Sequence, residues 1–176
     1  MRRIGLAALL CLGVASQARA DACARLAGRV VTVTGAAIAG RSGSTVAFGA
    51  ADADLMLLDC RAPGRMILRA RFAEPSRATF VLVGLAAQAL AGARAEEAER
   101  LALVLHRAAR EGGGPASGRA GPVAITCTAV PVGEFPTSCL LRRAGRTGRD
   151  QAASGVERVW LRPPALAAYR ASSASR

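Results

Sequence analysis

The chain has 176 residues, 52% of them apolar and only 3% aromatic, with 24 basic side chains against 12 acidic ones and a formal charge of +12. That length suits one compact domain with its own core, and the scarcity of aromatic rings argues against the stacking platforms on which single-strand nucleic-acid and sugar sites lean. Every basic residue is arginine, and neither lysine nor asparagine occurs.

The chain opens on Arg2 and Arg3, runs apolar over residues 4–14, and reaches Ala18-Arg19-Ala20. A charged start, a short apolar stretch and a small-x-small site are the three parts of a secretory signal peptide. The run is shorter than the roughly 20 residues a spanning helix needs, and no later segment is long and apolar enough to span a bilayer. The expected boundaries are a signal peptide at 1–20 with Asp21 first after cleavage, one domain over 21–162 and a disordered tail over 163–176. Cys11 leaves with the signal, since Leu10 is too bulky for the residue before a lipidated cysteine. Arg2, Arg3 and Arg19 leave too, so the 21 remaining arginines face 12 acids for a charge near +9. Such a balance attracts polyanions.

Four cysteines then remain, Cys23, Cys60, Cys127 and Cys139. An even count in an exported chain predicts two disulfides, because oxidising compartments are where such bonds persist. Three connectivities are possible. Proximity around a Pro/Gly-rich turn favours Cys127 with Cys139, leaving Cys23 to meet Cys60.

Residues 28–35 (GRVVTVTG) read as a first strand, rich in β-branched residues between glycines. Residues 35–44 read as a small-residue loop, 44–50 (STVAFGA) as a second strand and 54–60 (DLMLLDC) as a third. Arg61-Ala62-Pro63-Gly64 is turn chemistry, so the third strand should form a hairpin with the alternating stretch 65–72. A four-residue loop sets Leu57 opposite Leu68, Leu55 opposite Ala70 and Asp54 opposite Arg71. Leu55, Leu57, Leu68, Ala70 and Phe72 then face the core. Arg65, Arg69 and Arg71 share the reverse face with Met56, Leu58 and Ile67, and the segment that Cys23 ties to Cys60 is expected to cover part of it.

Thr79–Val83 favours a strand by its β-branched residues, with a helix capped by Ser76 as the alternative. From Leu85 the sequence is helical, pauses at Gly92, and resumes over 93–112. There Leu101, Val104, Leu105 and Ala108 repeat at helical spacing, with acids early and arginines late. Residues 112–121 (GGGPASGRAG) read as a flexible linker. Residues 122–130 and 137–143 read as a second hairpin with a cysteine on each arm, 142–150 as a basic loop and 156–162 as a last strand. The fold class expected is α+β: a mainly antiparallel sheet of two hairpins plus flanking strands, with one or two central helices and two disulfides.

The residues restrict the chemistry. His106, the single histidine, lies well off the helix's apolar stripe and should face water or a sheet edge, away from any partner for base catalysis. No clustered Cys/His set fits a metal, and no C-x-x-C is present. Residues 40–45 (GRSGST) suit an ordinary loop better than an anion nest. Asp52, Asp54 and Asp59 would support a hydrolase only in a deep pocket that raises the pKa of one acid.

Residues 28–35 and 55–64 resemble the opening of thermonuclease-family barrels, over about the first quarter of the chain after residue 20. The Asp-Gly-Asp-Thr and Asp-Arg-Tyr-Gly-Arg runs of that family are absent, so no calcium-dependent nuclease site is carried over.

The functional expectation is therefore a periplasmic or secreted domain with no catalytic residue and no cofactor, binding a protein or an anionic envelope partner. An accessory subunit of an envelope assembly is the alternative. Nucleic acid is not an expected partner. The candidate binding residues are Arg142, Arg143, Arg146 and Arg149 of the basic loop, then Arg65, Arg69 and Arg71. The loop is preferred, because arginine stems on a strand commonly serve to cover apolar surface.

Overall fold

In the computed structural model, residues 5–61 and 64–144 are described, with side chains from residue 20 onward. Three helices and seven strands follow the order α1 (Gly5–Thr34), β1 (Ala37–Ser42), β2 (Thr45–Ala50), β3 (Ala53–Asp59), β4 (Arg65–Ala70), α2 (Arg77–Ala91), α3 (Ala95–Gly112), β5 (Ala116–Ala120), β6 (Val123–Ala129) and β7 (Thr137–Arg143). The strands form one antiparallel sheet in the order β1-β2-β3-β4-β7-β6-β5. The α+β class stands, and so do both disulfides, Cys23–Cys60 and Cys127–Cys139.

The sheet is two meanders, β1 to β4 and β5 to β7, joined where β4 pairs with β7 from Arg65↔Arg142 to Ala70↔Thr137. Alternation sends Met56, Leu58, Met66, Leu68, Ile125 and Leu141 to one face, where they are buried. Helix α2 crosses that face over β4 and β7, with α3 over β5 and β6 and α1 against α2. Helix α2 is apolar nearly all round, as befits a helix lying between two helices and a sheet. Both its neighbours and the sheet bury it, and this overrides the strand preference of Thr79, Val81 and Val83, so the strand expected there is a helix.

Residues 28–34, expected as a strand, also continue a helix. Cys23, Leu26, Ala27, Val30 and Val33 recur at helical spacing and pack on the core, and a β-branched run adopts helix when one stripe is buried this way. The Thr32 and Thr34 hydroxyls donate to the carbonyls four residues back, at 3.1 and 2.7 Å. With this stretch helical and the sheet open, the likeness to a barrel opening ends at the sequence. The segment tied to Cys60 lies on the helical side of the sheet, so it does not cover the arginine face.

Two segments expected as loops are strands. β1 forms out of the small-residue stretch by pairing with β2, with a bulge between Ile38 and Gly40. β5 forms out of the expected linker, and Leu101 of α3 sits against Gly118, where a β-carbon would lie 2.9 Å from its Cδ1. Glycine, alanine and serine are poor strand formers by propensity, and here pairing and packing decide.

The β3–β4 hairpin holds the one register error. Its last pair is Asp59↔Arg65, which leaves Cys60 in the loop, bonded to Cys23. The five-residue loop closes by a bond from the Gly64 N–H to the Arg61 carbonyl, with Gly64 at φ 78°. Leu57 therefore faces Ile67, and Met56 faces Leu68. A one-residue slip exchanges the faces of a strand, so Met56 and Leu58 are core while Leu55 and Leu57 share the reverse face with Arg65, Ile67 and Arg69. Phe72 lies beyond β4 and is 69% exposed.

Helices α2 and α3 approach closely at Gly84, where a β-carbon would collide with the Ala95 carbonyl and meet Glu99 Cβ at 3.3 Å. Gly84→Ala should therefore destabilise the fold by about 1–3 kcal/mol, read from the midpoint of urea unfolding. In the chain-entropy model, the Cys23–Cys60 bond, which spans 37 residues, contributes about 4 kcal/mol. Cys23→Ser/Cys60→Ser should lose about that much, measured the same way.

Candidate functional site

Away from the helices, the sheet turns a second face outward: Leu55, Leu57 and Asp59 of β3, Arg65, Ile67 and Arg69 of β4, Ser138, Leu140 and Arg142 of β7, Thr126 and Thr128 of β6, and Arg119 of β5. Among the described residues no helix packs on it. Pairing orders these side chains into rows across the strands. One row runs Asp59, Arg65, Arg142, Ala124, Arg119, the next Leu57, Ile67, Leu140, Thr126, and the third Leu55, Arg69, Ser138, Thr128.

The first row places Arg65 directly opposite Arg142, 77 positions apart in the chain. Like charges opposed across a strand pair are unfavourable. Asp59 offsets one of them, accepting from Arg65 at 3.1 Å and from Arg61 at 2.7 Å. The Ser44 hydroxyl also donates to Asp59, at 3.2 Å. Arg142 has no ionic or hydrogen-bonding partner among the described residues and is exposed. Arg119 donates to the Gly121 carbonyl at 2.7 Å. Residues 112–121 read as linker, and nothing in that reading marks Arg119 as a member of the row.

At the other end of the face, the guanidiniums of Arg69 and Arg71 lie over the Phe135 ring, at 5.7 and 5.9 Å from its centroid. The Nε of Arg69 is buried without a partner. The Arg71 N–H donates to Asp54 at 2.7 Å, and its guanidinium lies 3.9 Å from the same carboxylate, so the expected Asp54 to Arg71 contact is present. Arg143 points to the helical side and donates to the Leu90 carbonyl at 2.9 Å, which binds the end of α2 to the sheet. Arg146 and Arg149 lie outside the described residues, as do most of the basic loop, the expected strand over 156–162 and the tail.

Hydrogen bonds from the Arg61 side chain and backbone, more than any other contact, hold the Asp59 carboxyl well below the usual carboxylate range, and Ser44 assists. A hydrolytic site would need a raised value here, and the shift runs the other way. Beside Asp59 an open cleft of about 640 Å³ is lined by Ala22, Cys23, Ser44, Cys60 and Arg61. Among the described residues no cluster of His, Cys, Asp and Glu could hold a metal ion.

His106 is buried, at 6% exposure, which corrects the expectation that it faces water. Helix α3 packs on both α2 and the sheet, so its buried face is wide enough to include residue 106 beside Leu105. The imidazole stands 5.3 Å from the Phe80 ring, and among the described residues neither ring nitrogen has a hydrogen-bond partner. Burial, then the charge of Arg110, lowers its pKa from the ordinary 6.5, against weaker pulls from the Ala73 backbone and Glu74.

Compared with known proteins, the chain matches no protein family, no curated protein and no solved structure.

An unfolded chain takes up the His106 proton at a higher pH than the folded one does. Its contribution to stability is therefore complete above about pH 6.5, and is lost as the pH falls from there towards the lowered folded value. No other histidine contributes in this window. Urea midpoints should drop between pH 7.5 and pH 5, and His106→Leu should flatten that slope.

Proposed function

We propose that this is an exported, disulfide-stabilised domain that is not a catalyst and that binds an anionic partner in the cell envelope through the arginine rows of its outward sheet face. The observation that carries this reading is the placement of Arg142 beside Arg65 on that face, where among the described residues Asp59 pairs with Arg65 and no carboxylate pairs with Arg142. An excess of guanidinium charge that costs the sheet stability is accounted for by an anion from outside.

Export is supported by the charged, apolar and Ala-Arg-Ala pattern of the first 20 residues and by the two disulfides. Among the described residues no helix is long and apolar enough to cross a membrane. The absence of catalysis is supported by the groups themselves: Cys23, Cys60, Cys127 and Cys139 are bonded, His106 faces Phe80 from within the core, and hydrogen bonds from Arg61 above all hold the Asp59 carboxyl below the usual range. The surface proposed here differs in emphasis from the loop favoured by sequence, since Arg142 acts with the strand row and Arg143 with helix α2.

A second reading, an accessory subunit of an envelope assembly, draws on the apolar row of Leu57, Ile67 and Leu140, which has no layer over it among the described residues. Salt separates the two, because exposed charge pairs are screened and apolar contact is not.

On a heparin column, used as a generic polyanion, the oxidised protein should be retained, and Arg65→Glu/Arg142→Glu should elute at clearly lower salt. The matched change Arg25→Glu/Arg29→Glu on the exposed side of α1 controls for net charge. Equal losses in the two variants would mean that overall charge, and not this face, does the binding.

A further inference from the structure

We infer that the outward face of the sheet receives an amphipathic helix from a partner protein, one whose apolar stripe is bordered by carboxylates on both sides. This deepens the proposed function and rests on it, since the same arginines do the binding.

The argument begins with layers. A sheet that carries Leu55, Leu57, Ile67 and Leu140 on its second face, over which no helix packs among the described residues, has the chemistry of a sheet meant to be covered on both sides. These four side chains are only half-buried. They are not scattered: Leu57, Ile67 and Leu140 stand side by side on the adjacent strands β3, β4 and β7.

The charges are arranged about that row. Arg65 and Arg142 border it on one side and Arg69 on the other, with Arg71 just past the end of β4. Among the described residues each border has a guanidinium without a carboxylate, Arg142 on one and Arg69, which lies over the Phe135 ring, on the other. From Arg65 to Arg69 is four residues of strand, about 13 Å. A helix with its side chains is about 10–12 Å across and fits between the two borders. Its pitch of about 5.4 Å nearly matches the strand spacing of about 4.8 Å, so apolar residues from successive turns can each sit over one strand. This is recognition of a helix by an apolar track with anchors at i, i+3 or i+4, and i+7.

Charge on both borders separates this occupant from a lipid. An anionic headgroup would engage one border and leave the other guanidinium over acyl chains. A helix with Asp or Glu on both flanks of its stripe meets both.

The probe is a synthetic 18-residue helical peptide with a leucine stripe flanked on both sides by glutamate, labelled and titrated with the full oxidised chain by fluorescence anisotropy. Saturable binding in the micromolar range is expected. It should weaken at least tenfold for Ile67→Glu, for Arg69→Glu/Arg142→Glu, and for a peptide with lysine in place of glutamate. Ile67→Ser, a milder change at a half-buried site, gives a second variant, and disulfide mapping and thermal unfolding confirm that each variant is folded.

Absence of saturable binding, or binding indifferent to these changes, overturns the inference. So does sedimentation with phosphatidylglycerol vesicles that Ile67→Glu abolishes while the peptide fails to bind, which gives the face to a bilayer. Dimerisation of the free chain that Ile67→Glu abolishes gives it to a second copy. If the peptide fails while heparin retention still depends on Arg65 and Arg142, the proposed function stands and only the helical partner is lost. If heparin retention is also independent of the two arginines, both fall.

Discussion

The pairing of β4 with β7 is the constraint on which the rest of the structure depends. It joins two meanders that could otherwise twist independently, and the resulting sheet is wide enough to carry α2 and α3 side by side. The Thr137 hydroxyl, at the start of β7, donates to the Phe72 carbonyl just past β4 at 2.9 Å and fixes one end of the seam. Arg143, at the other end, holds the last turn of α2. The same seam brings Arg65 and Arg142 together, so the candidate site and the core share one determinant.

The two faces of the sheet divide the chemistry between them. The helical side holds the large apolar side chains, the Cys127–Cys139 disulfide and His106, all withdrawn from solvent. The outward side mixes leucine and isoleucine with arginine, hydroxyls and a clamped aspartate. Arginine suits such a face, since its stem covers apolar neighbours while its planar head remains available for a carboxylate or phosphate. Asp59 contributes at the margin by fixing Arg61 and Arg65, while Arg142 and Arg69 have no carboxylate partner among the described residues.

What could be read in the sequence was whatever a local pattern encodes. Alternation marked β2, β3, β4, β6 and β7, and turn residues marked both hairpins. The acid-to-base gradient marked α3, and cysteine spacing favoured the observed disulfides. Residues 28–34 and 79–83 were misread because β-branching spoke for strand while burial against neighbouring helices imposed the helical period. β1 and β5 were missed because alanine, glycine and serine carry no strand signal, and their partners lie elsewhere in the chain. The register of β3 turned on Cys60, which its bond to Cys23 keeps out of the ladder. The arginine rows were half legible: the Arg65 and Arg69 alternation is local, but the approach of Arg142 depends on the β4–β7 seam, which no local pattern records.

The separation in sequence across that seam governs the order in which the molecule takes shape. The β6–β7 hairpin, with a cysteine bond spanning 12 residues, and the α2–α3 pair are local in sequence. The β4–β7 ladder joins strands about 70 residues apart, and long-range pairings of this kind are the slow ones to close, because loop-closure entropy is lost before their contacts form. Because Arg65 meets Arg142 only when that ladder closes, a chain in which it is still open lacks this arrangement of charge.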